Sequence, residues 1–191
     1  MRNDASEWLT RFRLAESDTA LPIRSPIEDE VVALFEEFRA PVIRYMLAFG
    51  LPIADAEELA QEVFLSLFEH LRRGKSRANL QGWIFRVAHN SALKCRLQLR
   101  RHSDRFVYEP VLSMAAADPA PGPEETLAIS QWQQRLLSVV RALPEHDQFC
   151  LALRAEGLRY REISEVLDIS LGSVAASLEK SLSRLMRAEQ T

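Results

Sequence analysis

The chain has 191 residues with a formal net charge of −3, and 47% of its residues are hydrophobic and 27% charged. Its 6 glycines stand among many leucines and alanines, a composition that favours helices and argues against a turn-rich β-sandwich or barrel. Its 2 cysteines exclude a disulfide scaffold, and no run of apolar residues reaches the roughly 18 of a membrane span, so we expect a cytoplasmic, mostly helical protein without membrane insertion.

The sequence divides into two helical regions, with irregular segments before and between them. Residues 1–26 contain 2 prolines, and we expect a mobile N-terminal extension there. Apolar residues at helical spacing follow over 27–102, which predicts a first compact domain. Residues 103–123 lose this spacing and contain prolines at 110, 119, 121 and 123, and residues 103–125 hold five acids against one arginine, as is typical of a flexible acidic linker. Helical spacing returns over 124–188, so the predicted fold is all-α, with two small domains on a tether.

Charge changes sign abruptly within the first domain. Residues 54–69 hold five acids and no lysine or arginine, whereas residues 70–102 hold nine bases and no acid. A cationic stretch of this kind attracts nucleic-acid phosphates by releasing condensed counterions. A solvated helical face is the alternative interpretation, although such faces usually mix charge signs to gain i,i+4 pairs. The pattern predicts two neighbouring surfaces with different partners.

The second domain carries the pattern of a helix-turn-helix. A predicted helix ends at Gly157, a short helix follows over 159–167, and residues 168–170 form a tight turn with Ser170 as the N-cap of a longer helix. In this motif the second helix enters the major groove and presents its first side chains to base edges. An ordinary helical hairpin is the alternative, and the order of the elements favours DNA binding over it.

Three parts of the sequence resemble bacterial sigma factors, which direct RNA polymerase to promoters. DAEELAQEVFLSLF at 55–68 is similar to their core-polymerase-binding helix, and LQGWIFRVAHNSAL at 80–93 to their promoter-melting segment. LPEHDQF at 143–149, GLRYREISEVL at 157–167 and ISLGSV at 169–174 are similar to their C-terminal helix-turn-helix domain. With two domains present, the resemblance is to the extracytoplasmic function (ECF) group of the sigma-70 family.

The resemblance implies three sets of binding residues and strand opening at promoters. The set for the RNA polymerase core enzyme, through its β′ and β subunits, is Asp55, Glu58, Leu59, Gln61 and Glu62. The set for the promoter −10 element is Lys75, Arg77, Asn79, Arg86, Asn90, Lys94 and Arg96. The set for the −35 element is Arg159, Arg161, Ser173, Ala175, Ala176, Ser177, Lys180 and Arg184. Exposed acidic side chains suit a partner with basic side chains. Lysine and arginine side chains beside a pocket for an extruded nucleobase suit unstacked DNA.

The recognition helix departs from the family pattern. Sigma factors of this group usually carry Lys and Arg soon after a Gly-Thr-Val-like motif, whereas this chain has Ala175, Ala176 and Ser177. One bidentate contact between Arg and guanine contributes roughly 1–3 kcal/mol of discrimination. We therefore expect weak or unusual −35 recognition.

The sequence leaves alternatives to the function of a promoter-directing sigma factor. The resemblance implies an anti-sigma partner, and a sigma-like protein could act mainly through it. A conventional helix-turn-helix transcriptional regulator would leave the charge switch in the first domain unexplained. An enzyme is the least favoured class, since the sequence has no Gly-rich phosphate loop, no histidine pair at ligand spacing and no cysteine with a companion histidine in a catalytic context. No catalytic residue, metal or cofactor is predicted, and His89, which lacks a second ligand at i+4, is expected on the surface.

Overall fold

A computed structural model describes residues 25–102 and 123–189. Within these ranges the chain is entirely helical, which confirms the predicted all-α fold class. The N-terminal half (residues 25–102) holds α1 (Pro26–Ala48), α2 (Ile53–Arg72) and α3 (Leu80–His102). The C-terminal half (residues 123–189) holds α4 (Pro123–Arg141), α5 (Glu145–Ala155), α6 (Tyr160–Leu167) and α7 (Leu171–Glu189). The expectations of a mobile extension over 1–26 and of a flexible acidic linker over 103–123 lie outside the described ranges, except at residues 25, 26 and 123, where the structure has a helix cap and the first residues of α1 and α4.

Local side-chain contacts fix where the N-terminal helices begin. The hydroxyl of Ser25 accepts a hydrogen bond of 3.3 Å from the Glu28 amide, and the Glu28 carboxylate accepts one of 2.8 Å from the Ser25 amide, which forms a capping box ahead of Pro26. The carboxamide oxygen of Asn79 accepts a bond of 3.0 Å from the Gly82 amide at the start of α3. Asn79 has φ 55°, a left-handed conformation that asparagine tolerates better than most residues.

The helix-turn-helix is closed by its own turn residues. Gly157 has φ 89° after α5, and Asp168 ends α6 with φ 54° and ψ 49°. The hydroxyl of Ser164 donates to the Ile169 carbonyl at 2.5 Å, so the turn is tied back to α6. Ser170 accepts a hydrogen bond of 3.0 Å from the Ser173 amide, which confirms its role as the N-cap of α7.

The two halves pack against each other. Helix α3 lies against α6, and the end of α1 lies against α5. Buried apolar side chains form one continuous cluster that includes residues from both halves. At its crossing point the rings of Phe49 and Phe149 stack with centroids 4.1 Å apart and planes at 15°. No helix in the described ranges is long and apolar enough to cross a bilayer.

Candidate partner and nucleic-acid surfaces

The predicted core-binding residues share the solvent-facing side of α2. Glu58, Gln61 and Glu62 are exposed, whereas Asp55 and Leu59 are partly buried. The opposite side of the helix is buried and supplies the core with Ala56, Ala60, Val63, Phe64 and Leu67. Helical periodicity thus separates an acidic face from an apolar one, and the acidic face stays open to a macromolecular partner.

This acidic face adjoins the second half of α3. The pKa of the Cys95 thiol is raised, first by burial and then by the negative charges of Asp55, Glu58 and Glu62. The neighbours of Cys95 in the sequence are Lys94 and Arg96. Because α2 and α3 pack against each other, the anionic and cationic surfaces predicted from the sequence adjoin along this contact.

A pocket opens between α2, the following loop and the start of α3. It has a volume of about 400 Å³ and is lined by Leu65, Ser66, Glu69, His70, Arg73, Lys75 and Trp83. The rings of His70 and Trp83 lie 4.6 Å apart, and His70 Nε2 is 2.9 Å from the Ser76 carbonyl oxygen. The pocket thus combines an aromatic wall with the cationic side chain of Lys75, while Arg73 forms an ion pair of 3.2 Å with Glu69.

Two of the predicted −10 residues on this loop are engaged within the N-terminal half. Arg77 Nε forms an ion pair of 3.1 Å with Glu30, and both side chains remain partly exposed. The Asn79 carboxamide is used as the cap of α3, as described above. Lys75 is exposed at the pocket, so among the three loop residues of the set its charge is the most accessible to a ligand in the pocket.

The α3 residues of the −10 set fall into two groups. Asn90 and Lys94 are exposed to solvent. Arg86 donates to the Glu165 carbonyl at 3.1 Å, and Arg96 forms an ion pair of 2.6 Å with Glu145. Arg86 and Arg96 are thus directed toward the C-terminal half, where the side chain of Arg86 is 48% exposed and that of Arg96 is 17% exposed.

His89 is buried, which corrects the expectation of a surface histidine. Only 7% of the residue is exposed, and its Nδ1 shares a hydrogen bond of 2.8 Å with the Tyr45 hydroxyl. Burial, with a further effect from the positive charge of Arg96, lowers the pKa of His89 from 6.5 to about 4, and Glu145 opposes this. The tyrosine lies 44 positions away, so the i+4 ligand pattern could not reveal it.

The predicted −35 residues are spread over both helices of the helix-turn-helix. Exposed members of the set are Arg159, Arg161, Ser173, Ala176, Lys180 and Arg184, and Ala175 is partly buried. Ser177 is 5% exposed, and its hydroxyl donates to Asp147 Oδ1 at 2.7 Å. Because that hydroxyl faces the core, Ser177 is removed from the DNA-facing set.

The buried face of α7 does not follow its leucines. Val174, Ser177, Leu178 and Ser181 are buried, whereas Leu171 and Leu182 are exposed. Ser177 and Leu178 lie three and four residues after Val174, and Ser181 lies three residues after Leu178, which is the spacing of one helical face. Serine is usually an exposed residue, so this spacing alone does not identify the two serines as buried.

These features define a class of protein. A helix-turn-helix unit is joined to a helical body that carries an acidic face beside a basic helix and pocket. Such a combination is typical of a DNA-binding transcription protein with a second macromolecular partner. Among the residues described, no group of three or more His, Cys, Asp or Glu side chains could hold a metal ion.

Comparison with known proteins gives the family. The sigma-70 region 2 family matches residues 34–105, and the sigma-70 region 4 family matches residues 133–185. The ECF RNA polymerase sigma factor ShbA of Streptomyces griseus is 30% identical over 134 residues, 68% of this chain and 69% of that protein. The ECF RNA polymerase sigma factor RpoE of Cereibacter sphaeroides is 27% identical over 188 residues, 96% of each chain. The chain belongs to the ECF group of the sigma-70 family.

A solved structure supports the fold independently. The sigma factor RpoE from Bartonella quintana, in complex with the anti-sigma factor NepR, matches with a TM-score of 0.59 and 15% identity. The match covers 83% of this chain and 98% of that one. The resemblance stated from the sequence motifs is confirmed, and the protein is a sigma factor of transcription initiation.

Proposed function

We propose that this sigma factor recruits the RNA polymerase core enzyme through the acidic face of α2, contacts the −10 element through the basic loop and α3, and approaches the −35 element through α6 and α7. Its action is binding and strand separation in the cytoplasm, without covalent chemistry of its own. The observation that carries this proposal is the exposure of Glu58, Gln61 and Glu62 on one face of α2.

Core docking follows from the charge and shape of α2. Glu58 and Glu62 are one helical turn apart, so their carboxylates lie side by side. Leu59 offers a partly exposed apolar contact beside them. A partner surface rich in Arg and Lys, as proposed for the β′ subunit, would pair with these acids and pack on the leucine.

Strand opening requires a site that stabilises an unstacked base. The pocket of about 400 Å³ has room for a base, with the Trp83 and His70 rings as its wall. Lys75 at its rim would neutralise a neighbouring phosphate, whereas Arg73 would first have to leave its 3.2 Å ion pair with Glu69. Exposed Asn90 and Lys94 would continue this contact along α3, because single-stranded DNA is held by stacking together with cationic residues.

Recognition of the −35 element is proposed to depend on few base contacts. Ser173 and Ala176 are exposed near the start of α7, where a recognition helix meets base edges. Ala176 can contact a thymine methyl but cannot form a bidentate hydrogen bond. Exposed Arg159 and Arg161 on α6 and Arg184 on α7 are assigned to phosphates, which favour affinity over sequence discrimination.

An anti-sigma partner is part of the proposal. The RpoE structure from Bartonella quintana, which this fold resembles, is a complex with such a factor. The alanine-rich start of α7 favours one further candidate, a sigma-like protein that acts mainly through an anti-sigma factor. Failure to bind core enzyme, together with tight binding to an anti-sigma factor, would favour that candidate.

Reconstitution with core enzyme tests the proposal. The purified chain should bind core polymerase stoichiometrically and support run-off transcription from a promoter library. Reversing two charges with Glu58→Lys and Glu62→Lys should abolish core binding while the helical circular dichroism is retained. The matched control replaces the exposed α1 acids with Glu36→Lys and Glu37→Lys and should keep binding within about twofold. Equal loss in both variants, or no core binding by the wild type, would refute the proposed docking face.

A further inference from the structure

We propose that residues 8–13, which precede the described N-terminal half in the sequence, bind in an apolar groove between α1 and α2. This α1–α2 groove has a volume of about 430 Å³, within the range of roughly 300–1,000 Å³ that is typical of ligand pockets. Leu65 lines both this groove and the pocket proposed for an unstacked base. The proposal therefore concerns a second recess beside that pocket.

The floor of the α1–α2 groove is aromatic and aliphatic. Phe35 of α1 and Phe64 of α2 meet edge to face, with ring centroids 5.0 Å apart and planes at 73°. The apolar lining residues that remain partly open to water are Val31, Val32, Phe35, Phe68 and Leu65. Leu65 is 66% exposed. A contiguous apolar surface of this kind marks an interaction site more often than isolated exposed residues do.

Acidic side chains border the groove on α1. Residues 26–38 hold five acids and no lysine or arginine. Asp29 and Glu36 are exposed, three residues before and four residues after the groove residue Val32. Residues three and four apart are neighbours on a helix, so these two acids lie along one edge of the groove.

The edge on α2 is acidic as well. Glu58 and Glu62 are exposed, three residues before the groove residues Gln61 and Leu65 respectively. By the same helical spacing they lie along the second edge. The groove therefore fits an apolar segment that carries a basic side chain on each flank.

Residues 8–13, with the sequence WLTRFR, have the matching pattern. At roughly 100° per residue, Trp8, Leu9 and Phe12 fall on one face of a helical turn. Arg11 and Arg13 fall on the two flanks of this face, so docking would bring one basic group to each acidic edge. Recognition of an amphipathic helical segment by an apolar groove is a recurring mode of peptide binding.

The connection along the chain permits this docking. The amide of Ser25, the first described residue, donates to the carboxylate of Glu28, and Glu28 lines the groove. Residues 13–24 separate Phe12 from Ser25, and when extended they span up to roughly 40 Å. The groove residues from Glu28 to Phe35 cover only about 10 Å of α1. The segment can therefore reach the whole groove, and its tether gives it a high effective concentration there.

Core enzyme is the competing occupant of the groove. Gln61 lines the groove and Glu58 and Glu62 border it, and all three belong to the proposed core-binding set. Residues 8–13 differ from core enzyme because the free chain already carries them. Docking of this segment should therefore be observable without polymerase.

Fluorine NMR of the full chain labelled with 5-fluorotryptophan tests the docking. The chain has 3 tryptophans, and Trp8→Phe identifies the Trp8 resonance by its loss. The shift of this resonance between H₂O and D₂O measures the exposure of the ring to solvent. In the wild type this solvent shift should be about half or less of its value in urea, since a docked indole loses contact with water.

Two substitutions should release the segment, and each has a matched control. Phe12→Ser removes an aromatic ring from the apolar face, whereas Leu14→Ser removes an apolar side chain from the opposite face. Leu65→Lys places a positive charge in the groove, whereas Ile53→Lys changes an apolar residue of α2 that is similarly exposed, 54% against 66%. Phe12→Ser and Leu65→Lys should raise the solvent shift of Trp8 toward its value in urea. Leu14→Ser and Ile53→Lys should keep the wild-type shift, with circular dichroism unchanged in all four.

The contrary results are equally specific. A Trp8 ring that is as exposed in the wild type as in urea overturns the docking. Release by Phe12→Ser without release by Leu65→Lys also overturns it, because the segment then binds elsewhere. If Trp8 is exposed and Leu65→Lys weakens the binding of core enzyme, the groove belongs to core enzyme and the proposal is wrong. The solvent shifts are measured without polymerase, so a failure of the proposed recruitment leaves their outcome unchanged.

Discussion

Ser177 on α7 donates a hydrogen bond of 2.7 Å to Asp147 on α5, and both residues are buried. The other oxygen of Asp147, Oδ2, lies 3.6 Å from Lys180 Nζ, one turn further along α7. The first turn of α5 is thus attached to the middle of the recognition helix through a single carboxylate. Side chains on the exposed side of α7 keep their orientation through this contact.

Removal of the Ser177 hydroxyl should destabilise the protein. Ser177→Ala leaves Asp147 Oδ1 buried without its donor, which costs about 1–3 kcal/mol of the free energy of unfolding, measured by urea denaturation. Ser181→Ala is the matched control, because Ser181 is equally buried on α7 and its Oγ lacks a hydrogen-bond partner within the described residues. That change should be neutral or stabilising. Equal losses of unfolding free energy in the two variants would show that the hydrogen bond to Asp147 does not stabilise the protein.

Buried His89 should make stability depend on mildly acidic pH. Its pKa is about 4 in the folded protein against 6.5 as the ordinary value, so the unfolded chain binds more protons between these values. The free energy of unfolding should therefore fall as the pH drops from about 6.5 to about 4, by up to about 3 kcal/mol. The groups that face the ring are Tyr45, Arg96 and Glu145.

Urea denaturation across this pH range measures the effect. His89→Gln should remove most of the slope, while His146→Gln replaces an exposed histidine on α5 and serves as the control. If the slope survives in His89→Gln but disappears in His146→Gln, the pH dependence comes from His146 and the prediction for His89 is wrong.

A basic residue at Ala176 should strengthen DNA binding. Ala176 is exposed next to the first turns of α7, where this group of sigma factors usually carries Lys or Arg. Ala176→Arg adds one phosphate or base contact, so the slope of log K against log salt for duplex DNA should steepen by about 0.9. Glu179→Gln also raises the net charge by one on α7 and controls for charge alone. An equal gain in both variants would argue against a specific contact at position 176.

Two glycines of the helix-turn-helix region should respond in opposite directions to alanine. Gly157 has φ 89°, so Gly157→Ala forces a left-handed alanine and should lower the free energy of unfolding by about 1 kcal/mol, although no atom lies within 4 Å of the added Cβ. Gly172 lies within α7, and its nearest neighbour would be Ser170 Oγ at 3.8 Å. Gly172→Ala should therefore raise stability by about 0.5–1 kcal/mol. Thermal melts of both variants measure the difference.

Features that depend on neighbours in sequence could be predicted. The end of α5 at Gly157 and the cap of α7 at Ser170 follow from residues within a few positions. The acidic face of α2 follows from helical period alone. These features need no knowledge of the rest of the fold.

Features that depend on distant partners could not be predicted. His89 is buried because Tyr45, 44 positions away, satisfies its ring, and Ser177 is buried because Asp147, 30 positions away, accepts a hydrogen bond from its hydroxyl. The pair between Arg44 and Glu156 spans 112 positions. Sequence spacing carries no information on such pairs, since they form only when separate helices meet.

The 2.6 Å pair between Arg96 and Glu145 has a consequence for any contact between Arg96 and DNA. An arginine that goes from a carboxylate to a phosphate exchanges one anion for another, and it has a charged hydrogen-bond acceptor both before and after the exchange. Such an exchange does not require the guanidinium to remain without a counter-charge.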